Sequence, residues 1–226
     1  MVCVKGVCMS RFNGPKYRML GVLLLLFSSL IQAHPHNWIA LNSRFVLDDQ
    51  AQLISIEQRW EFDVFYSMMT LADVLNEYGS EEAGLPVFAS RMIENLASYN
   101  YFSVLRLDSQ VIQLSSPQRY ALVSRQRDQQ QVLELQMRFD LEKPLSIEAR
   151  TLVFSVYDPT YYIAMNHATE HNIVIEGGNA SECVLELKFA EPSEDLLDFA
   201  QSLDQSQKDT DGLGENFAET ALIRCF

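Results

Sequence analysis

Strict alternation of apolar and polar residues over 131–141 is the feature that most constrains how this chain folds. A repeat of two places every second side chain on the same face of a strand. One apolar face and one polar face are typical of a half-buried antiparallel sheet. The apolar positions of this segment are Leu133, Leu135, Met137, Phe139 and Leu141. Similar alternation predicts further strands at 37–47, 52–63, 101–107, 119–125, 151–157 and 183–189.

Helical spacing interrupts the alternation between about residues 64 and 98. Apolar residues recur there at intervals of three and four, which predicts a helix that packs through this face. Pro86 is expected to open a second helix, because proline is favoured in a first helical turn. The apolar residues that define the face of the first helix are Phe65, Met68, Ala72, Leu75 and Tyr78.

A third helix is expected after residue 191, where Ser193 is a good N-cap and two acidic residues follow it. These patterns predict an α+β fold with a single domain over residues 34–226. We expect an antiparallel sheet or sandwich with a two-helix insertion at about 64–98. A C-terminal segment at about 191–226, helical in part, should lie against the sheet.

Residues 1–33 have the pattern of a secretory signal that is removed after export. Four basic residues and no acidic ones precede an uncharged apolar run of thirteen residues at 19–31. This run is shorter than the roughly 20 residues of a membrane-spanning helix and suits a signal-peptide core. We expect cleavage after Ala33, with an uncleaved membrane anchor as the alternative.

The predicted mature chain is strongly acidic. The leader holds four of the 17 basic residues and none of the 30 acidic ones, which leaves a net charge of −17. Such a surface repels nucleic acid and anionic lipid, and it attracts cations or basic partners. Most of these charges need no explanation beyond solubility.

Two cysteines remain in the mature chain, Cys183 and Cys225. An even pair in an oxidising compartment predicts a disulfide. Neither cysteine has a CxxC partner or a nearby histidine, which argues against a zinc site. Cys183 shares the inward parity of its predicted strand, so the disulfide is expected to face the core.

Cleavage after Ala33 would make His34 the amino terminus. Its free α-amine and imidazole can chelate one metal ion, and His36 can bind through its ring. Pro35 has no amide N–H, which blocks the copper or nickel site built from successive deprotonated amides. Nitrogen ligands of this kind suit zinc, copper, nickel or cobalt. The alternative is a histidine pair that merely leads into a strand.

His167 and His171 form a second histidine pair. A spacing of four suits one face of a helical turn. The segment follows a strand and is expected to be a loop, so the pair is a weak candidate for metal ligands. Loop histidines without a ligand role are the alternative.

Several motifs of this chain resemble those of the bacterial family called domain of unknown function 1007. They are AHPHNWI at 33–39, RWEFD at 59–63, NYF at 100–102, YDPTYYIAM at 157–165 and LGENFAETALIRC at 213–225. The resemblance implies a periplasmic component of an uncharacterised transport system, often associated with nickel or cobalt transporters. The family's HPH start corresponds to His34–His36 and its WxFD aspartate to Asp63, while its late cysteines correspond to Cys183 and Cys225.

The resemblance and the residues together favour a periplasmic accessory protein that is not an enzyme. It would handle a divalent transition metal, nickel, cobalt, zinc or copper, for a membrane permease, with Asp63 as a third ligand beside His34 and His36. Two alternatives stay open. One is an adaptor of a permease that binds no metal, and the other is an oxidative copper enzyme that uses an amino-terminal histidine.

Overall fold

The computed structural model describes residues 2–4, 7–9, 37–203 and 212–226. Residues 1–32 and 33–226 are separate compact units. In the first unit, β1 (Val2–Val4) pairs antiparallel with β2 (Val7–Met9). The predicted leader and its cleavage site lie largely outside the described residues. Within the described part of the chain, no helix is both long and apolar enough to span a bilayer.

Six strands of the second unit form its first sheet. The strands are β3 (Asn37–Leu47), β4 (Gln52–Phe62), β7 (Arg119–Arg127), β8 (Gln130–Ser146), β10 (Ile163–Asn166) and β11 (Ile173–Glu176). They follow the order β10-β3-β4-β8-β7, and β11 also pairs with β3. Both β10 and β11 run parallel to β3, so this edge departs from the antiparallel pairing expected from the sequence.

Five strands form the second sheet, in which every pairing is antiparallel. The strands are β5 (Ser103–Leu107), β6 (Gln110–Ile112), β9 (Thr151–Val156), β12 (Cys183–Lys188) and β13 (Thr220–Cys225). Their order is β12-β13-β9-β5-β6, so β13 lies inside the sheet.

The two sheets pack face to face as a sandwich. Phe45 on β3 meets Phe154 on β9 edge to face, with ring centroids 5.2 Å apart. Gln58 on β4 donates a hydrogen bond of 2.8 Å to the hydroxyl of Ser103 on β5. The alternation of β8 places Leu133, Leu135, Met137 and Phe139 in this shared core, as the sequence predicts.

A disulfide joins Cys183 and Cys225, which lie directly opposite each other on β12 and β13. This confirms the predicted pairing. Residues 220–225 therefore form a sheet strand. The helical elements described in the C-terminal segment, whose residues 204–211 lie outside the described ranges, are α3 (Glu194–Ser202) and a 3-10 turn at Leu213–Phe217.

The helical insertion consists of α1 (Val64–Tyr78) and α2 (Glu81–Ala97). Asp63 is the N-cap of α1, and Ser80 is the N-cap of α2. The expected start of α2 at Pro86 is wrong, because the Ser80 hydroxyl accepts the N–H of Ala83 and begins the helix earlier. Pro86 lies inside the helix.

The face through which α1 packs also differs from the expectation. Its buried residues are Ser67, Thr70, Leu71 and Val74. The Ser67 hydroxyl accepts the backbone N–H of Leu133 at 2.9 Å. This face of α1 therefore forms a hydrogen bond with the backbone of β8 as well as packing against the core. On the predicted apolar face Tyr78 is half-buried. The other four residues of this face are exposed: Phe65, Met68, Ala72 and Leu75.

Candidate functional site

Asp63 lies beside the beginning of β3, the strand that follows the predicted mature amino terminus. Its Oδ2 accepts the backbone N–H of Trp38 at 3.4 Å, and its own backbone N–H donates to the Trp38 carbonyl at 3.1 Å. His34 and His36 lie outside the described residues. Because consecutive Cα atoms are about 3.8 Å apart, His36 is within about two residue lengths of Trp38.

The Asp63 carboxylate also holds the first turn of α1. Its Oδ1 accepts the backbone N–H of Tyr66 at 2.9 Å, which is a standard N-cap contact. An ionised carboxylate has about four lone-pair positions. The 3.4 Å contact with Trp38 is long, so Oδ2 retains the capacity to bind a cation at this corner.

A mostly apolar groove of about 230 Å³ opens at the same corner. Burial raises the pKa of the Tyr66 phenol in its wall, a hydrogen bond with Thr70 opposes this rise, and the negative charge of Asp63 adds to it. The Asp63 charge therefore acts on the phenol of Tyr66, which lines the groove. Its lining includes side chains from both helices and from β3: Asn37, Ile39, Phe62, Tyr66, Met92, Asn95, Leu96, Tyr99, Phe102 and Ile163.

A strained turn forms one wall of the groove. Asn100, Tyr101 and Phe102 have φ values of 50°, 54° and 54°, in the left-handed region that disfavours side chains. Packing holds the turn in place, because Phe102 stacks on Trp60 at 6.1 Å and Tyr101 is buried against Phe139. Strain of this kind is concentrated at ligand-binding positions in proteins. The NYF motif thus shapes this groove.

His167 is buried in a polar network that links the two sheets. Its Nδ1 lies 3.2 Å from Oε2 of Glu219, and its backbone N–H donates to the same oxygen at 2.7 Å. Nε2 lies 2.9 Å from the hydroxyl of Ser43 on β3. Because a carboxylate only accepts, a neutral ring carries its proton on Nδ1 and Nε2 accepts from Ser43.

The connectivity of Ser43, His167 and Glu219 is that of a serine–histidine–acid triad. Ser43 and His167 are each only 3% exposed, and the Ser43 side chain has the inward parity of β3. A catalytic nucleophile has to contact its substrate, so these three residues are best explained as a structural tie between β3 and the start of β13. The network leaves neither ring nitrogen of His167 free for a metal.

His171 is exposed and is not a hydrogen-bond partner of Ser43, His167 or Glu219 in the contacts described above. It lines a shallow polar cleft together with Asn42, Arg44 and Glu57. The neighbouring Glu170 accepts the backbone N–H of Leu187 at 3.2 Å, so that carboxylate holds β12. The spacing of four between the histidines does not bring them onto one face.

Among residues 37–203 and 212–226 the side chains form no group of three or more metal-ligating residues. Of the three predicted ligands His34, His36 and Asp63, Asp63 lies in the described part of the chain and the two histidines lie outside it. The sequence could not reveal the groove, because its walls come from helix, strand and turn residues that are far apart. The motifs AHPHNWI, RWEFD and NYF each supply a residue of the groove, and they were sequence signals that pointed to this corner.

The comparisons with known proteins agree with the motifs. The chain matches the family described as "Protein of unknown function (DUF1007)" over residues 19–225. An uncharacterised protein of Haemophilus influenzae is 30% identical over 210 residues, which cover 90% of this chain and 97% of that protein. Taken with the sandwich fold and its disulfide, this match shows that the chain belongs to the DUF1007 family of proteins of unknown function.

Proposed function

We propose that this protein is a periplasmic accessory protein that binds a divalent transition metal at its mature amino terminus and transfers it to or from a membrane transporter. The observation that supports this best is the position of Asp63. Its carboxylate accepts the backbone N–H of Trp38, two residues after His36 in sequence. Its neighbours Phe62 and Tyr66 line the apolar groove. In this proposal the imidazoles of His34 and His36 would join the Asp63 carboxylate as ligands.

The donor set fits the chemistry of such a metal. The α-amine and ring of His34 can close a chelate on one ion, and the ring of His36 and the Asp63 carboxylate supply two further donors. A set of nitrogen ligands with one carboxylate oxygen suits zinc, nickel, cobalt or copper. The strongly acidic mature chain raises the local concentration of cations.

Isothermal titration calorimetry with nickel, cobalt, zinc and copper salts tests this proposal. The chain that starts at His34 should bind at least one of these ions more tightly than the same chain with an additional amino-terminal methionine. The extension keeps every side chain and changes only the amine, so it separates amine ligation from a simple histidine cluster.

Side-chain variants complete the test. His36→Ala should weaken binding at least tenfold, whereas His171→Ala, which changes an exposed histidine elsewhere, should leave it unchanged. Equal affinity of the native-start protein and a His34→Ala/His36→Ala double variant would exclude the metal site. The adaptor function without a metal would then take its place.

A further inference from the structure

The exposed side of α1 carries a continuous apolar stripe. Phe65 is 67% exposed, Met68 56%, Met69 50% and Leu75 48%. With Ala72 these residues follow the i, i+3, i+4, i+7 spacing of one helical face, opposite the face that packs on the sandwich. We call this set of five residues the α1 stripe.

The α1 stripe is not explained by packing within the described chain, since α1 has a separate buried face. Large contiguous apolar surfaces on soluble proteins mark sites of interaction. A single helix of 15 residues is about 22 Å long. Its face complements another helix in shape and length, and methionine side chains adapt easily to a partner.

Charge identifies the kind of helix that fits. Asp73 and Glu77 flank the stripe, Glu81 and Glu82 begin the next helix, and α1 itself contains no lysine or arginine. Arg91 lies 3.0 Å from Glu77 and over the Tyr78 ring, so it offsets one of these acidic charges. A basic partner is therefore attracted by this face, and an acidic one is repelled.

A second copy of this chain fits less well. Two such faces would bring their acidic borders together, and like charges across an interface are unfavourable. An anionic membrane is disfavoured by the same acidic charge.

We propose that the α1 stripe is a docking site for a basic amphipathic helix of a partner protein, bound through its apolar face. This site is independent of the amino-terminal metal site. It requires neither bound metal nor the residues His34, His36 and Asp63. Recognition of this type places apolar anchors at helical spacing along a complementary face.

The test uses metal-free protein and three designed helical peptides, with binding measured by fluorescence anisotropy. The first peptide places leucines on one face and lysines on the other. The second replaces each leucine with glutamine, and the third replaces each lysine with glutamate. The leucine–lysine peptide should bind at least tenfold more tightly than either of the other two.

Substitutions then locate the site on the protein. A Phe65→Ser/Met69→Ser variant should lose at least tenfold in affinity for the leucine–lysine peptide. Phe189→Ser, which removes a phenylalanine that is 59% exposed after β12, should keep full affinity. Because both changes are at exposed positions, circular dichroism should show unchanged folding.

Several results would overturn the proposal. Equal binding of the glutamine–lysine peptide would show that charge alone is responsible, and undiminished binding by Phe65→Ser/Met69→Ser would place the site elsewhere. A concentration-dependent dimer that this double variant abolishes would identify a second copy as the occupant. Co-sedimentation with phosphatidylcholine vesicles that is lost in the double variant would identify a lipid surface instead.

Discussion

The Nδ1 atom of His167 lies 3.2 Å from Oε2 of Glu219, and this contact joins the end of β10 to the start of β13. Through Nε2 the same ring reaches Ser43 on β3 at 2.9 Å. One histidine thus fixes an edge of the first sheet to a central strand of the second. The ring takes no part in the proposed metal site.

His167→Ala should lower the free energy of unfolding by about 1–3 kcal/mol. The substitution leaves the Ser43 hydroxyl without its ring partner. The largely buried Glu219 carboxylate loses the contact with the ring but keeps the backbone N–H of residue 167. Urea denaturation followed by tryptophan fluorescence measures the loss. His171→Ala is the control and should change stability by less than about 0.5 kcal/mol, because that side chain is exposed. Equal effects of the two substitutions would contradict the structural tie.

Asp63→Asn should weaken metal binding without unfolding α1. Asparagine caps helices about as well as aspartate does, so the contact with Tyr66 is retained while the negative charge is lost. The same change should lower the pKa of Tyr66, because the Asp63 charge helps to raise it. Ultraviolet titration of the tyrosines measures this shift, and calorimetry measures the affinity. An unchanged affinity would remove Asp63 from the ligand set.

Metal affinity should fall steeply as the pH drops from about 7.5 to 5.5. The imidazoles and the amine bind a metal only in their deprotonated forms, and unperturbed histidine has a pKa of about 6.5. Protons therefore compete increasingly with the metal at lower pH. Calorimetric titrations at three pH values test this, with circular dichroism as the control for folding. A flat profile would show that histidine and amine nitrogens are not the ligands.

Cys225→Ser should destabilise the protein by about 2–5 kcal/mol and leave metal binding intact. The Cys183–Cys225 bond crosslinks residues 42 apart in sequence, which constrains the unfolded chain. Thermal unfolding of the variant measures the loss. Mass spectrometry of the alkylated native protein should find neither thiol free, and modification of either one would contradict the bond.

Gly214→Ala should destabilise the protein by about 3 kcal/mol. A Cβ atom at this position would lie 1.8 Å from the backbone oxygen of Asp158, which cannot move aside easily. Gly79→Ala is the matched control. It meets nothing within 4 Å, and its φ of 77° costs about 1 kcal/mol. Similar losses of stability in both variants would contradict the close packing of Gly214.

The sequence allowed correct prediction of those elements whose pattern is local. Alternation alone located β3 and β8, and the even cysteine pair predicted the disulfide. The short strands β10 and β11 were missed, because four residues are too few to show a period and both pair in parallel with a distant strand.

The packing face of α1 was predicted incorrectly for a physical reason. The hydrophobic pattern predicted that Phe65 and Met68 pack into the core. In the structure Ser67 and Thr70 are buried instead. A small hydroxyl allows close approach and satisfies the Leu133 N–H, which no apolar side chain can do. The His167 network was also beyond prediction, since Ser43 and Glu219 are 124 and 52 residues away from it in sequence.

The interior position of β13 has a consequence for how the protein is made. A chain that emerges amino terminus first, from a ribosome or an export channel, presents Thr220–Cys225 after the other four strands of this sheet. Until then β9 and β12 lack the strand that lies between them, and the sheet stays divided. Closure of this sheet therefore waits until β13 has emerged, so we expect a late folding step dominated by long-range pairing.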